Sequence, residues 1–229
     1  MKKIFWAGDS TVQNNDITTY PQTGIGQVFS LFLKEGIEVC NHAKNGRSTK
    51  SFLEEGRLKA IEAEIGEGDF LFIQFGHNDE KKEDPSRYTE PSGTYMENLK
   101  LFIDTARRHG AKPVLITPLE RRCFADEKYL GIGAHSDYVA AMKQVAEQQK
   151  TPLVDLYSYS RAELKKAGAE GSKRFFMNFG PGQYTSYPEG KEDNTHLRYD
   201  GAVTFAGLIA KGLHELGGEY RELLIEGFI

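Results

Sequence analysis

The sequence predicts a three-layer α/β/α fold built on a five-stranded, parallel, flavodoxin-like sheet. Two observations carry this. Short apolar runs alternate with amphipathic stretches along the chain, and unbroken apolar runs suit strands that helices cover on both faces. Polar, turn-forming motifs follow the first three runs directly, which is where an open α/β sheet gathers its functional loops. No repeat, linker or low-complexity tract interrupts the alternation, so residues 1–229 are expected to form one domain.

The first run, Ile4-Phe5-Trp6-Ala7, is stopped by Gly8-Asp9-Ser10-Thr11. Residues 24–34 predict a helix with Ile25, Val28, Phe29 and Phe32 on one face and Gly36 ending it. Residues 37–40 predict a second strand, and Asn45-Gly46 a turn after it. Residues 48–65 are helical in pattern, with a break at Gly56. The most apolar strand covers 69–75 and runs into Gly76-His77-Asn78-Asp79. Residues 80–91 are charged and proline-bearing, so they predict a solvated loop. A helix over 92–109 has a Ser cap, an apolar face of Tyr95, Leu99, Phe102, Ile103 and Ala106, and a stop at His109-Gly110. Then come a strand at 113–117, a helix at 136–149 and a fifth strand at 153–156. Residues 168–195, rich in Gly, Pro and aromatics, predict a long irregular loop before a last helix at 199–216. Strands joined through helices cross over right-handed, which makes the sheet parallel.

Composition narrows the function. A net charge of −4, with 39% hydrophobic and 27% charged residues, fits an ordinary globular protein. It gives no reason to expect nucleic acid or an anionic membrane as a partner. No apolar run approaches the length of a membrane span. Met1-Lys2-Lys3 is followed only by Ile4 to Gly8 before the acidic Asp9, with no small-residue cleavage site, so a cytoplasmic protein is expected. Cys40 and Cys123 are too few for a disulfide framework or a metal centre, and no metal or cofactor is expected.

Four polar blocks carry the chemistry: Gly8-Asp9-Ser10, Asn45-Gly46-Arg47-Ser48, Gly76-His77-Asn78-Asp79 and Asp193-Asn194-Thr195-His196. Three follow consecutive strands and so share one sheet edge; the fourth precedes the last helix. In this order they resemble the blocks of the SGNH (GDSL-like) hydrolases, and the resemblance spans nearly the whole chain. It implies Ser10 as nucleophile, His196 as base and Asp193 as the orienting carboxylate. It also implies an oxyanion hole made of the Ser10 and Gly46 N–H groups and the Asn78 amide. The chemistry agrees, because a serine hydroxyl needs an adjacent base and imidazole titrates near neutrality. Spacing alone leaves Glu192 a rival to Asp193.

Within that family the chain looks most like the rhamnogalacturonan acetylesterases. The likeness lies in Gly24-Ile25-Gly26-Gln27, Phe75-Gly76-His77-Asn78-Asp79 and Thr117-Pro118-Leu119-Glu120-Arg121-Arg122. It implies an acetylated, acidic oligosaccharide as substrate. Lys44, Arg47, Arg121 and Arg122 fall on the site edge of an acidic protein; Arg47, Arg121 and Arg122 are expected to bind a uronate carboxylate, and His77 to pack or touch substrate. Phe175, Phe176, Phe179, Tyr184 and Tyr187 would stack on sugars or form the late loop's own core. Two rivals stand beside the esterase: a metal-dependent phosphoesterase using the same carboxylates and imidazoles, and a catalytically silent carbohydrate-binding domain.

Overall fold

A computed structural model of the protein describes residues 2–126, 131, 133 and 135–227. Strands β1 (Lys2–Gly8), β2 (Ile37–Asn41), β3 (Phe70–Gln74), β4 (Lys112–Ile116) and β5 (Leu153–Val154) form one parallel sheet in the order β2-β1-β3-β4-β5. This is the flavodoxin-like order, with its topological switch between β1 and β3. Trp6 pairs with Asn41 and Gly8 with Gln74, so the chain leaves all three strands along one edge.

The pleat divides the core. Ile4 and Trp6 face one layer with Phe29, Phe72, Phe205 and Ile209, whereas Phe5 and Ala7 face the other with Phe52, Phe75, Tyr95 and Phe102. Residues Ile4 to Ala7 are fully buried, as a strand covered on both faces requires. On one side lie α1 (Ile25–Val28) and α7 (Tyr199–Leu216). On the other lie α2 (Thr49–Glu54), α3 (Arg57–Glu62), α4 (Met96–Arg108) and α5 (Ser136–Gln149).

Several elements depart from expectation. The helix expected over 24–34 is a single α turn followed by a 3₁₀ turn at Phe29–Phe32. Glycines and aromatics favour helix weakly, and Leu33 is drawn into a bridge with Leu224. Gly56, at φ +71°, separates α2 from α3 at the expected break. Ser92 does not cap α4; a wider turn from Pro91 precedes it, with Gly93 outside helical geometry. The fifth strand stops after two residues because the Asp155 carboxylate accepts the Ser158 N–H and starts α6 (Leu156–Ser172). That helix was not expected. The irregular loop expected over 168–195 instead holds the end of α6 and an antiparallel pair, β6 (Phe176–Phe179) and β7 (Lys191–Leu197). Phe175 and Phe176 are buried in the main core, and Phe179 packs on Tyr184 and Tyr187. Among the described residues no helix is long and apolar enough to cross a membrane.

The start of α7 sits tightly against the chain entering β6. A Cβ built on Gly201 would lie 2.0 Å from the Phe175 carbonyl oxygen, a backbone atom that has nowhere to move without dragging β6. Gly201→Ala is therefore expected to destabilise the fold by about 1–3 kcal/mol, the usual range for overpacking. Urea unfolding of the two proteins measures this; equal midpoints would contradict it.

Candidate active site

Asp9 shapes the turn after β1. Its carboxylate accepts the Thr11 N–H at 2.9 Å and the Thr11 hydroxyl at 2.8 Å, while its carbonyl accepts the N–H groups of Val12 and Gln13. The other carboxylate oxygen faces His77 Nδ1 at 3.2 Å. Ser10 is thereby held at the lip of the sheet. Its Oγ lies 3.0 Å from His196 Nε2, although 186 residues separate the two in the chain.

His196 is fixed from behind. Its Nδ1 lies 2.7 Å from Asp193 Oδ2, and Asp193 Oδ1 accepts the N–H groups of Thr195 and His196 at 2.9 and 3.0 Å. Burial alone would raise the Asp193 carboxyl. Its bonds to His196 and Thr195 outweigh this and hold it well below the ordinary carboxylate range, so it stays ionised. Glu192 is exposed on the hairpin, across from Asn178, so the structure joins His196 to Asp193 and not to Glu192. Both Asp193 and His196 belong to β7, not to a helical turn as i,i+3 spacing would suggest.

Three donors converge on the same cavity of about 230 Å³. Among the described residues, neither the Ser10 nor the Gly46 N–H finds a protein acceptor. Gly46 adopts φ +76°, which a residue with a Cβ takes up only under strain. The Asn78 side chain gives one N–H to the Arg47 carbonyl at 3.1 Å, and its Oδ1 faces Arg87 Nη1 at 3.3 Å. That orients the amide and leaves its second N–H for the cavity.

The arginines that the sequence singles out all have partners within the protein. Arg47 pairs with Glu55 through Nε and Nη2 and donates to the Asn45 carbonyl through Nη1. Arg122 is buried behind the site, where it binds Ala169, Ser172 and Asn194. Arg121 reaches the cavity wall, but its guanidinium bonds Thr195 Oγ1, the His77 carbonyl and Glu80. These guanidiniums are committed to internal acceptors, and Arg121 and Arg122 clamp the Asp193–His196 segment to the loop after β4. His77 is buried with Nδ1 on Asp9, so it braces the Ser10 turn. Lys81 and Arg87, which sequence reasoning did not single out, also line the cavity. Both lie in the charged loop after the third block, where composition gives no sign of which side chains turn inward.

Asp9 and Asp79, the carboxylates that a two-metal site would need, are both fully buried and turned inward. Asp79 accepts from Thr49 N, Thr49 Oγ1 and Thr89 Oγ1, tying α2 to the loop after β3. Among the described residues, no group of three or more His, Cys, Asp or Glu side chains is arranged to hold a metal ion.

A hydroxyl, an imidazole and an ionised carboxylate in series, facing unpaired N–H donors, make up the equipment of a serine acyl-hydrolase. Residues 7–197 match the GDSL-like lipase/acylhydrolase family, and the chain belongs to that family. It is 45% identical, over 98% of its own length and 96% of the relative's, to rhamnogalacturonan acetylesterase RhgT of Bacillus subtilis (strain 168). The crystal structure of protein YxiM from Bacillus subtilis superposes with a TM-score of 0.78 at 26% identity, covering 95% of this chain and 57% of that one. Axe2, an acetylxylan esterase from Geobacillus stearothermophilus, shares the fold at a TM-score of 0.67 and 17% identity, with 96% of this chain and 95% of that one covered.

Two buried groups under the site titrate in opposite senses. Burial lowers the His77 imidazole to about 4, against the upward pull of Asp9 and with a further push from His135 and Arg121. Burial lifts the Asp79 carboxyl to about 7, despite its bonds to Thr49 and Thr89. The unfolded chain protonates His77 near 6.5, so that contribution to stability is present above 6.5 and is lost as pH falls towards 4. Folded Asp79 keeps its proton up to about 7 whereas the unfolded chain releases it near 3.8, so that contribution is present at low pH and is lost as pH rises towards 7. Asp79→Asn should remove the second slope and leave a steeper loss of stability between about pH 7 and 4 than the wild type shows. Urea unfolding at several pH values tests this, and parallel curves would contradict it.

Proposed function

We propose that this protein is a serine esterase that removes O-acetyl groups from a carbohydrate, through an acyl-enzyme formed on Ser10. The single observation that carries the proposal is the Asp193–His196–Ser10 chain, with contacts of 2.7 and 3.0 Å, aimed at unpaired donors. Ser10 Oγ attacks the ester carbonyl as His196 Nε2 takes its proton. The carbonyl oxygen becomes an oxyanion, held by the N–H groups of Ser10 and Gly46 and the Asn78 amide. When the intermediate collapses, the sugar oxygen leaves with the proton from His196, and acetyl remains on Ser10. Water, deprotonated by His196, then attacks the acetyl-serine, which releases acetate and restores the hydroxyl. An assembled triad favours this over a silent carbohydrate-binding domain, and the inward-turned Asp9 and Asp79 favour it over a metal-dependent phosphoesterase.

The substrate we infer is an acidic, pectin-type oligosaccharide such as acetylated rhamnogalacturonan. The name of the 45%-identical relative supports this. Lys81 supports it as well: of the Lys and Arg residues described along the cavity, it is the one whose side chain makes no ion pair or hydrogen bond. A uronate carboxylate would complete it, in the role that the sequence assigns to Arg47, Arg121 and Arg122.

Acetate release from acetylated oligosaccharides with and without uronic acid tests both levels. The wild type should prefer the uronate-bearing substrates. Lys81→Ala should lower kcat/KM on them by about tenfold or more, the equivalent of one charge-assisted hydrogen bond. Activity of the variant on 4-nitrophenyl acetate should stay near normal, since that ester carries no carboxylate. Equal rates on both classes of sugar would remove the acidic substrate, and no release from any of them would remove the carbohydrate.

A further inference from the structure

A second, larger cavity of about 660 Å³ lies between the loop of residues 15–23 and the start of α7. Seven large apolar side chains are exposed among the described residues, and three of them line this cavity: Ile17 at 79%, Tyr20 at 54% and Tyr199 at 54%. Such clustering marks a binding surface more than scattered exposure does. Tyr184 adds a fourth wall, edge-on to Tyr20 with ring centroids 5.6 Å apart. Polar groups ring the same space. Among the described residues, the Gln22 and Asp200 side chains make no hydrogen bond or ion pair. The Arg198 guanidinium stands over the Phe179 ring and gives Nη2 to the Lys173 carbonyl at 3.4 Å, while its buried Nε has no partner among the described residues.

The cavity adjoins the candidate active site along the chain. Arg198 follows His196 by two residues in extended backbone, so both side chains leave the same face, about 7 Å apart. The loop is stitched to this segment by the Thr23 N–H on the Leu197 carbonyl and by a bridge between Gln22 and Arg198.

We propose that this cavity is a sugar-binding subsite, which holds a pyranose ring of the chain whose neighbouring residue carries the ester at Ser10. The ligand class rests on the carbohydrate esterase activity proposed above. A pyranose presents an apolar C–H face and an edge of hydroxyls. Exposed tyrosine faces beside an unpaired amide and carboxylate, and a guanidinium whose Nε is free, answer both within one concave space. A flat apolar interface with a second copy would leave those polar groups without partners.

Tyr199 opens α7, is half exposed and makes no side-chain hydrogen bond, so its replacement should leave the fold intact. Tyr199→Ala should lower kcat/KM on acetylated rhamnogalacturonan oligosaccharides by about five- to tenfold, mainly through KM, the size of one lost stacking contact. Tyr199→Phe, which keeps the ring face, should restore most of that. Both variants should match the wild type on 4-nitrophenyl acetate. An unchanged oligosaccharide rate, equal losses on both substrates, or a change in oligomeric state with Tyr199→Ala would each overturn the subsite. If the wild type hydrolyses no oligosaccharide, the catalytic proposal falls, and calorimetry with the same oligosaccharides judges the subsite alone. Binding weakened by Tyr199→Ala would uphold it; equal or absent binding would overturn it.

Discussion

The candidate site depends on one carboxylate that does two things. Asp193 Oδ1 holds the backbone N–H groups of Thr195 and His196, and Oδ2 holds the imidazole of His196. The first pair of bonds fixes the path of β7, and the third fixes the ring that this path carries. Two arginines then secure the segment to the sheet. Arg121 ties Thr195 to the His77 carbonyl and Glu80 in the loop after β3, and Arg122 ties Asn194 to the end of α6. Those clamps act with the Thr23 N–H on the Leu197 carbonyl and the Gln22–Arg198 bridge to register the hairpin against Ser10.

The sheet edge is organised by the same means. Asp9 and Asp79 are buried carboxylates satisfied by neighbouring backbone and hydroxyl groups, and each sits beside one of the groups that face the cavity. Asp9 sets the turn of Ser10; Asp79 sets the loop that carries Asn78. A buried carboxylate left unpaired would be strongly destabilising, so these bonds fix loop geometry more firmly than packing alone. His77 and His135 meet edge to face behind them, ring centroids 4.3 Å apart, and pair through Nδ1 with Asp9 and Glu80 respectively. The floor of the site is thus a set of paired ionisable groups. The groups that face the cavity, Ser10, Gly46 and Asn78, stand above it.

Much of this is legible in the sequence. Apolar runs long enough to be read without partners gave β1, β3 and β4, and the turn residues after β1 and β3 sit where the strands end. Gly8-Asp9-Ser10 and Asp193-x-x-His196 are each short and local, and they are legible as a site only as members of an ordered set of four blocks. The failures have physical causes. α6 buries only Leu156, Ser160, Leu164 and Ser172, too few apolar positions to show a helical period. The β6–β7 pair is held by contacts across a glycine- and proline-rich turn, which local pattern does not register. Arg47, Arg121 and Arg122 can be placed on the site edge from the sequence, but their partners within the protein cannot be read there: Glu55, Glu80 and Asn194 lie between 8 and 72 residues away. The cavity at Tyr20 and Tyr199 joins segments from opposite ends of the chain, so no window of sequence contains it.

The central claim is that Ser10 is the nucleophile that His196 activates. A fluorophosphonate reacts covalently with a serine only where a base and an oxyanion hole act together. Mass spectrometry of peptides from the treated protein locates the adduct. We expect stoichiometric labelling at Ser10, abolished in His196→Ala. Labelling of another serine, or undiminished labelling of Ser10 when His196 is replaced, would contradict it.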